Sequence, residues 1–317
     1  MNEFQFLAGL REKYSLDKIG DDCAVLPSTT DQNLLLTADM LVEDVDFRLE
    51  WTRPEYLGHK ALAVSLSDIA AMGGEAKWAL LTLGMPDDLW KSGFRDDFFS
   101  GWMSVAHMFG VELIGGDLSR TRKGVVIDSI VGGEVKKGKA FLRSTASPGD
   151  AIFISGDLGG AAGGLRLLES GTRYTDATAV EIADLLIKQL KPSPELQLAN
   201  LLQSMDIVTA AIDVSDGLSS DLGHLCHASG VGAVLEASCL PVNRNLGLHF
   251  APDEAFQLAL NGGEDFRLLF TVRKDNISSL ADIGVTQIGE ITQYAGKIEL
   301  IDGERNLLLD PRGYLHF

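Results

Sequence analysis

Apolar positions along this chain change period from one segment to the next, and the changes outline its elements. Phe4, Leu7, Leu10 and Tyr14 fall at helical spacing and predict a short amphipathic helix over residues 3–14. Leu34-Leu35-Leu36-Thr37-Ala38-Asp39 reads as an apolar strand that terminates in aspartate, and Glu112-Leu113-Ile114-Gly115-Gly116-Asp117 repeats the theme. Pro54 opens a helix to about Met72, where Gly73-Gly74 stops it. Trp78 to Leu83 and Val125 to Val131 predict strands, with a helix between them over roughly 90–109.

The second half continues in the same way. Ala151 to Ile154 predicts a strand, followed by a glycine-rich turn through Gly164 and then a helix. Further helices are expected over Ala177 to Leu190, after Pro192-Ser193-Pro194 to about Met205, over Leu218 to Ala228, and over Ala251 to Leu260. Between them an apolar run from Ile207 to Ile212 ends in Asp213-Val214-Ser215-Asp216-Gly217, and Phe266 to Val272 resumes as a strand. Alternating strands and helices predict an α/β fold with mixed sheets. The length of 317 residues admits two domains. The Lys136-Lys137-Gly138-Lys139 run, a solvated turn, and Ser144 to Asp150 mark a junction, so the expected domains are 1–140 and 141–317.

Composition narrows the function classes. With 45% hydrophobic and 23% charged residues the chain can fill a globular core. Its formal net charge of −18 argues against a nucleic-acid-binding surface. Cys23, Cys226 and Cys239 form no C-x-x-C pair and read as reduced thiols, which points to the cytoplasm. No secretory signal is read at the start, and no run of about 18 apolar residues predicts a membrane span.

Candidate chemistry lies in the acids. Asp21, Asp22, Asp39, Asp68, Asp117, Asp213 and Asp216 stand at predicted strand or helix ends. If several converge, each pair about 5 Å apart repels by roughly 3 kcal/mol at an effective dielectric of 20. Such a cluster either takes up protons or binds hard divalent cations. Asp68 opposes the negative end of its helix dipole, which makes sense beside a cation. The bland alternatives are a solvated turn at Asp21-Asp22 and a solvent-facing acid at Asp68. Oxygen-only donors, with Thr37 and Ser215 nearby, suit Mg2+, whose usual companion is phosphate. An acidic protein could then hold a nucleoside triphosphate through bridging metal ions. No histidine accompanies these motifs, which favours an acceptor needing no general base: a phosphate, already ionised at pH 7. The glycine-rich 156–164 turn fits neither phosphate-binding pattern, and close packing is its preferred explanation. His224, Cys226 and His227 make an incomplete zinc set. Gly262-Gly263-Glu264-Asp265 is either a close approach to a ligand or an ordinary helix end.

Six motifs occur in order: Gly20-Asp21-Asp22-Cys23-Ala24, Thr37-Ala38-Asp39, the Lys60-to-Gly73 helix with Ser67-Asp68, Leu113-Ile114-Gly115-Gly116-Asp117, Ile212-Asp213-Val214-Ser215-Asp216-Gly217, and Gly262-Gly263-Glu264-Asp265. With Gly313-Tyr314 and His316-Phe317 they make the whole chain resemble the thiamine-monophosphate kinase family. The resemblance implies ATP-dependent phosphorylation of thiamine monophosphate to thiamine diphosphate. It also implies a two-domain fold like that of aminoimidazole ribonucleotide synthase, with N-terminal domains pairing into a homodimer across a shared β-barrel. By motif match, Asp22, Thr37, Asp39, Asp68, Asp117, Asp213 and Asp216 would hold several Mg2+ ions, with Ala38 helping through its carbonyl. Gly116, Asp117, Arg143 and Ser215 would contact ATP; Glu264 and Tyr314 would meet the thiamine moiety.

Three positions depart from the family pattern: Asp46 replaces a substrate-contacting histidine, Phe109 replaces a tyrosine near the nucleotide, and Leu118-Ser119-Arg120 stands where two threonines are common. Other readings remain open: a related ATP-dependent synthetase, a metal-dependent phosphohydrolase, or a non-catalytic nucleotide or metal sensor.

Overall fold

Strand β2 (Gln32–Val42) turns Leu35, Thr37, Asp39 and Leu41 to one face and Leu34, Ala38 and Met40 to the other. Around it, in a computed structural model that describes Glu12 and residues 21–28, 31–310 and 312–314, a five-stranded mixed sheet forms. Its other strands are β1 (Ala24–Pro27), β3 (Glu75–Met85), β4 (Glu112–Arg120) and β5 (Val126–Lys136), in the order β1-β2-β5-β3-β4. Only the β3–β4 pairing in this sheet is parallel. The helix expected over 3–14, Gly20, and the closing Leu315, His316 and Phe317 lie outside the described residues.

Asp39 and Asp117 do not end their strands. The ladder between β2 and β5 runs on to Val42 opposite Val126, and β4 continues to Arg120. Asp39 belongs to the inward-facing row of β2, with Leu35, Thr37 and Leu41. Asp117 lies on an exposed edge strand where an acid costs little. Asp213 alone of the three stands one residue from a strand end, in β7 (Val208–Val214).

The second sheet has seven strands in the order β12-β11-β8-β10-β6-β9-β7. These are β6 (Ala151–Ser155), β7, β8 (Gly232–Glu236), β9 (Arg267–Val272), β10 (Val285–Thr292), β11 (Ile298–Asp302) and β12 (Arg305–Leu308). Helix α1 (Pro54–Ala71) lies between the two sheets, against β2 and β5 on one side and β7 and β9 on the other. That position explains why 14 of its 18 residues are buried: its sequence is apolar or small nearly all round. The remaining helices are α2 (Asp87–Lys91), α3 (Phe94–Phe109), α4 (Gly160–Glu169), α5 (Val180–Leu190), α6 (Leu196–Met205), α7 (Leu218–Ser229) and α8 (Pro252–Asn261).

α1 and α3 cross at a distance that glycine permits. A Cβ on Gly58 would sit 1.9 Å from the Phe98 carbonyl oxygen, and one on Gly101 1.8 Å from that of Glu55. One apolar core runs from the first sheet through α1 to Phe153 and Phe270 of the second. Another lies behind the second sheet, under α7 and α8. Among the described residues the first sheet has no such cover on its other face, where Leu34 and Met40 are exposed. Among the described residues this sheet does not close on itself, so no barrel exists within one chain.

Candidate active site

Three chain segments far apart in sequence deliver acids to one place. Asp22 comes from the turn before β1, Asp68 from the last turn of α1, and Asp213 from the end of β7. One carboxylate oxygen from each lies within 4.8 Å of the others. Asp39 on β2 joins them from the inward face of its sheet, and its Oδ2 is buried with no hydrogen-bond partner. The Thr37 hydroxyl donates to Asp68, and Ser67 Oγ donates to Asp213 Oδ2 at 2.6 Å.

One cation answers this charge. Arg143 donates through Nη2 to Asp22 Oδ1 (2.6 Å) and through Nε to Asp22 Oδ2 (3.1 Å), while its backbone N–H binds Asp21 Oδ1 (2.7 Å). Burial works against the guanidinium's charge, but Asp22 more than offsets it and holds the pKa above its ordinary value. Among the described residues Asp68 has no ion pair and α1 has no basic residue in its last turn. Burial, then the neighbouring carboxylates, push Asp68 well above the ordinary carboxylate range. Asp213 is raised well above it too, by burial and by Asp22, and Asp39 is raised chiefly by burial. Buried acids that repel each other, carry an orphaned oxygen and, apart from Arg143 on Asp22, are bonded by the hydroxyls of Thr37 and Ser67 offer a carboxylate-rich donor set suited to a hard divalent cation.

Not every expected metal residue joins them. Asp216 lies in a separate group with Asp221 and His224, whose ligand atoms fall within 4.8 Å of one another. Asp221, which sequence reasoning missed, closes the loop by accepting from the N–H groups of Asp216 (3.1 Å) and Gly217 (3.0 Å). His224 is pushed down to about 4 by burial and by Arg143. Asp117 stands in the cross-strand row Asp117–Thr82–Asp128–Met40 on the open face of the first sheet. Three strand spacings, roughly 14 Å, separate it from β2. Gly116 is equally far along the row that ends at Asp39. Phe109 closes α3 and packs half-buried on the first core. The Ala38 side chain points to the outer side of β2, which leaves the expected role of its carbonyl, next to Asp39 in the chain, untouched.

The expected substrate residues do come together. A cavity of about 350 Å3 is lined by Asp46, Glu264 and Tyr314, with Ser215 and Asp216 from the loop just past Asp213. Three left-handed residues shape its wall: Asp44 at φ 68° and, on either side of Asp265, Glu264 at φ 67° and Phe266 at φ 48°. Such backbone persists only when its surroundings hold it. Here the Glu264 N–H bonds the Ser215 carbonyl (2.7 Å) and the Phe266 N–H that of Val214 (2.8 Å). Between them Asp265 accepts from the N–H groups of Gly159 (2.5 Å) and Ala161 (3.0 Å), capping α4; burial raises its pKa to about 6. The glycines of that turn serve packing, as expected: a Cβ on Gly164 would lie 2.1 Å from the Leu185 carbonyl oxygen of α5. Lys60, also missed, is buried in α1 and pairs with Glu264 Oε1 at 2.7 Å. It and Ser67 lie in the Lys60-to-Gly73 segment, where an interior lysine and serine of a helix carry no signal of their own in the sequence.

Comparison with known proteins defines the class first. Residues 20–137 match the family described as AIR synthase related protein, N-terminal domain, and residues 147–300 match its C-terminal domain. The chain is 40% identical over 309 residues to thiamine-monophosphate kinase of Escherichia coli K12, covering 94% of this chain and 91% of the relative. It is 36% identical to thiamine-monophosphate kinase of Bacillus subtilis 168, covering 94% and 93%. The solved structure of AaThiL complexed with AMPPCP and TMP superposes with a TM-score of 0.88 at 30% identity, covering 100% and 97%. Within the AIR synthase related proteins, the chain belongs to the thiamine-monophosphate kinase family.

Proposed function

We propose that this chain transfers the terminal phosphoryl group of ATP to the phosphate of thiamine monophosphate, giving thiamine diphosphate and ADP. One observation carries the reading. The loop that follows Asp213 of the acid cluster supplies Ser215 and Asp216 to the cavity holding Asp46, Glu264 and Tyr314. Relatives named for this activity and a neighbour complexed with AMPPCP and TMP support it.

In this reading Asp22, Asp39, Asp68 and Asp213, with Thr37, would hold magnesium, and Asp216 a further ion. Bound magnesium supplies the positive charge that lets two phosphorylated compounds approach. Arg143 keeps Asp22 in place and sets a cation beside the cluster. The acceptor phosphate, with a second pKa near 6, needs no general base. Glu264, oriented by Lys60, accepts hydrogen bonds from the acceptor's base, and the Tyr314 ring offers its face to the cationic thiazolium. Asp46 closes its own turn by accepting from the Val42 N–H at 2.7 Å.

The chain acts as a homodimer in the cytoplasm, with the division at residue 140 separating its two domains. Leu34 and Met40 on the open sheet face, and Ile114 and Leu118 on β4, are exposed apolar side chains that a second copy would cover. Two such sheets facing each other make the shared barrel, and this pairing is how Gly116, Asp117 and Phe109 would take part.

The test is incubation of purified protein with ATP, Mg2+ and thiamine monophosphate. Thiamine diphosphate and ADP should appear in equal amounts and only with the acceptor present. Release of inorganic phosphate without acceptor dependence would make the protein a phosphohydrolase instead.

A further inference from the structure

Four buried side-chain atoms among the described residues lack a hydrogen-bond partner, and two of them belong to residues that line the same cavity. They are Thr52 Oγ1 and Gln189 Oε1; each residue is 5% exposed. The other two have different settings: Asp39 Oδ2 lies in the acid cluster and Asp128 Oδ1 on the open sheet face. Unmatched buried polar atoms are unfavourable and rare, so two in one cavity call for a ligand that matches them.

The orientation of Gln189 is set by its neighbours. Its amide nitrogen donates to Glu264 Oε2; turned over, its carbonyl would face that carboxylate and repel it. Lys60 Nζ completes the arrangement, binding Glu264 Oε1 at 2.7 Å and the Gln189 main-chain carbonyl at 3.3 Å. Gln189 Oε1 is therefore left as a fixed acceptor. The Thr52 hydroxyl, just ahead of α1, can rotate to donate or accept.

Resting on the kinase reading above, we propose that Gln189 and Thr52 read the pyrimidine edge of the acceptor. A 4-aminopyrimidine presents an N–H donor beside a ring-nitrogen acceptor. Gln189 Oε1 accepts from the amine, and the Thr52 hydroxyl donates to the ring nitrogen. In the 4-oxo analogue the amine becomes a carbonyl and the ring nitrogen carries the hydrogen. Gln189 Oε1 then meets another acceptor, whereas Thr52 rotates and tolerates either form. Gln189 and Glu264, both acceptors for the amine, thus discriminate together, and Thr52 is a general anchor.

The experiment measures kcat and KM for thiamine monophosphate and its 4-oxo analogue with wild type, Gln189→Met and Thr52→Val, both substitutions being close in shape. Wild type should prefer the amine by about 100-fold in kcat/KM, the upper end of what one unmatched buried acceptor costs. Gln189→Met should raise KM for the amine about 10-fold, leave kcat and the KM for ATP near wild type, and so cut the preference from about 100-fold to about 10-fold. Thr52→Val should raise KM for both acceptors by about fivefold. The proposal is overturned if Gln189→Met keeps the full preference, or lowers kcat equally with both acceptors as a packing defect would. If Gln189→Met does not fold, an unchanged KM in Thr52→Val overturns it. Should wild type turn over neither acceptor, the kinase reading has failed on its own. Calorimetric binding of the two acceptors to the same three proteins then decides the recognition claim separately.

Discussion

Of two acidic groups among the described residues, around Asp157 and around Asp213, only the first is balanced from within. Around Asp157, Lys188 Nζ binds Oδ1 at 2.7 Å, Asn243 donates to Oδ2 at 2.7 Å, and Arg267 reaches both Asp157 and Glu195, the latter at 2.6 Å. Nearby, Asn245 donates to Asp184 at 2.8 Å. Around Asp213, four acids share Arg143, and an oxygen of Asp39 bonds to nothing. The first network is complete without a ligand and ties α5 and the start of α6 to β9. The second is an incomplete charge set whose stability and use both depend on something arriving. The comparison teaches that a count of acids says little; the deficit of cations beside them is what marks a site.

The largest expected effect follows from breaking each network once. Asp213→Asn should lower turnover about a thousand-fold, the scale of losing a preorganised electrostatic group, while leaving the ion-free fold at least as stable. Arg267→Met should do the reverse. Its partners are partly solvated, so about 1–2 kcal/mol of stability is lost while the turnover of the folded fraction stays near wild type. Initial rates and denaturant melts on the two variants check both halves. A stable, active Arg267→Met alongside an unfolded Asp213→Asn would invert the assignment.

How much of this was legible beforehand depends on what each feature required. The acids of the cluster stood out because carboxylates interrupting apolar runs are conspicuous in sequence. That Asp22, Asp68 and Asp213 would meet could not be read from periodicity, because it depends on α1 being enclosed between two sheets. The mid-strand positions of Asp39 and Asp117 were misjudged for a local reason: an acid after an apolar run looks like a strand end until the pairing partner is known. Strands β8, β10, β11 and β12 went unnoticed, being short, glycine-bearing or mixed in polarity. Thr52 and Gln189 carried no signal at all, since an unmatched polar atom is visible only once burial is known.

A smaller effect sharpens the contrast through pH. Asp39, Asp68 and Asp213 have raised pKa values, so the ion-free native state holds protons that the unfolded chain has released. Their contribution to stability is fully present below an unfolded value of about 4 and is lost as pH rises through the native values. Asp265, raised to about 6, adds a slope of the same sign but bonds only backbone N–H groups. The difference between melts with and without Mg2+ therefore isolates the cluster. Adding Mg2+ should raise the melting temperature more at pH 8 than at pH 5.5, because protons compete with the ion at the lower pH. Equal shifts at both pH values would mean that the ion binds elsewhere.

The smallest effect concerns Asp46, which sits on the cavity wall where the family usually has histidine. Its Oδ2 accepts the Val42 N–H at 2.7 Å, so part of its role is to close the turn after β2. Burial, followed by Asp46 and Glu264, raises the Tyr314 phenol's pKa, so Asp46 adds negative charge to the cavity. A histidine ring nitrogen can accept the same backbone hydrogen bond while removing that charge. Asp46→His should therefore hold kcat and change the KM for thiamine monophosphate by no more than about threefold, the scale of one solvent-accessible charge. A collapse of activity with an intact melt would show instead that the aspartate has acquired a contact with the acceptor that histidine cannot make.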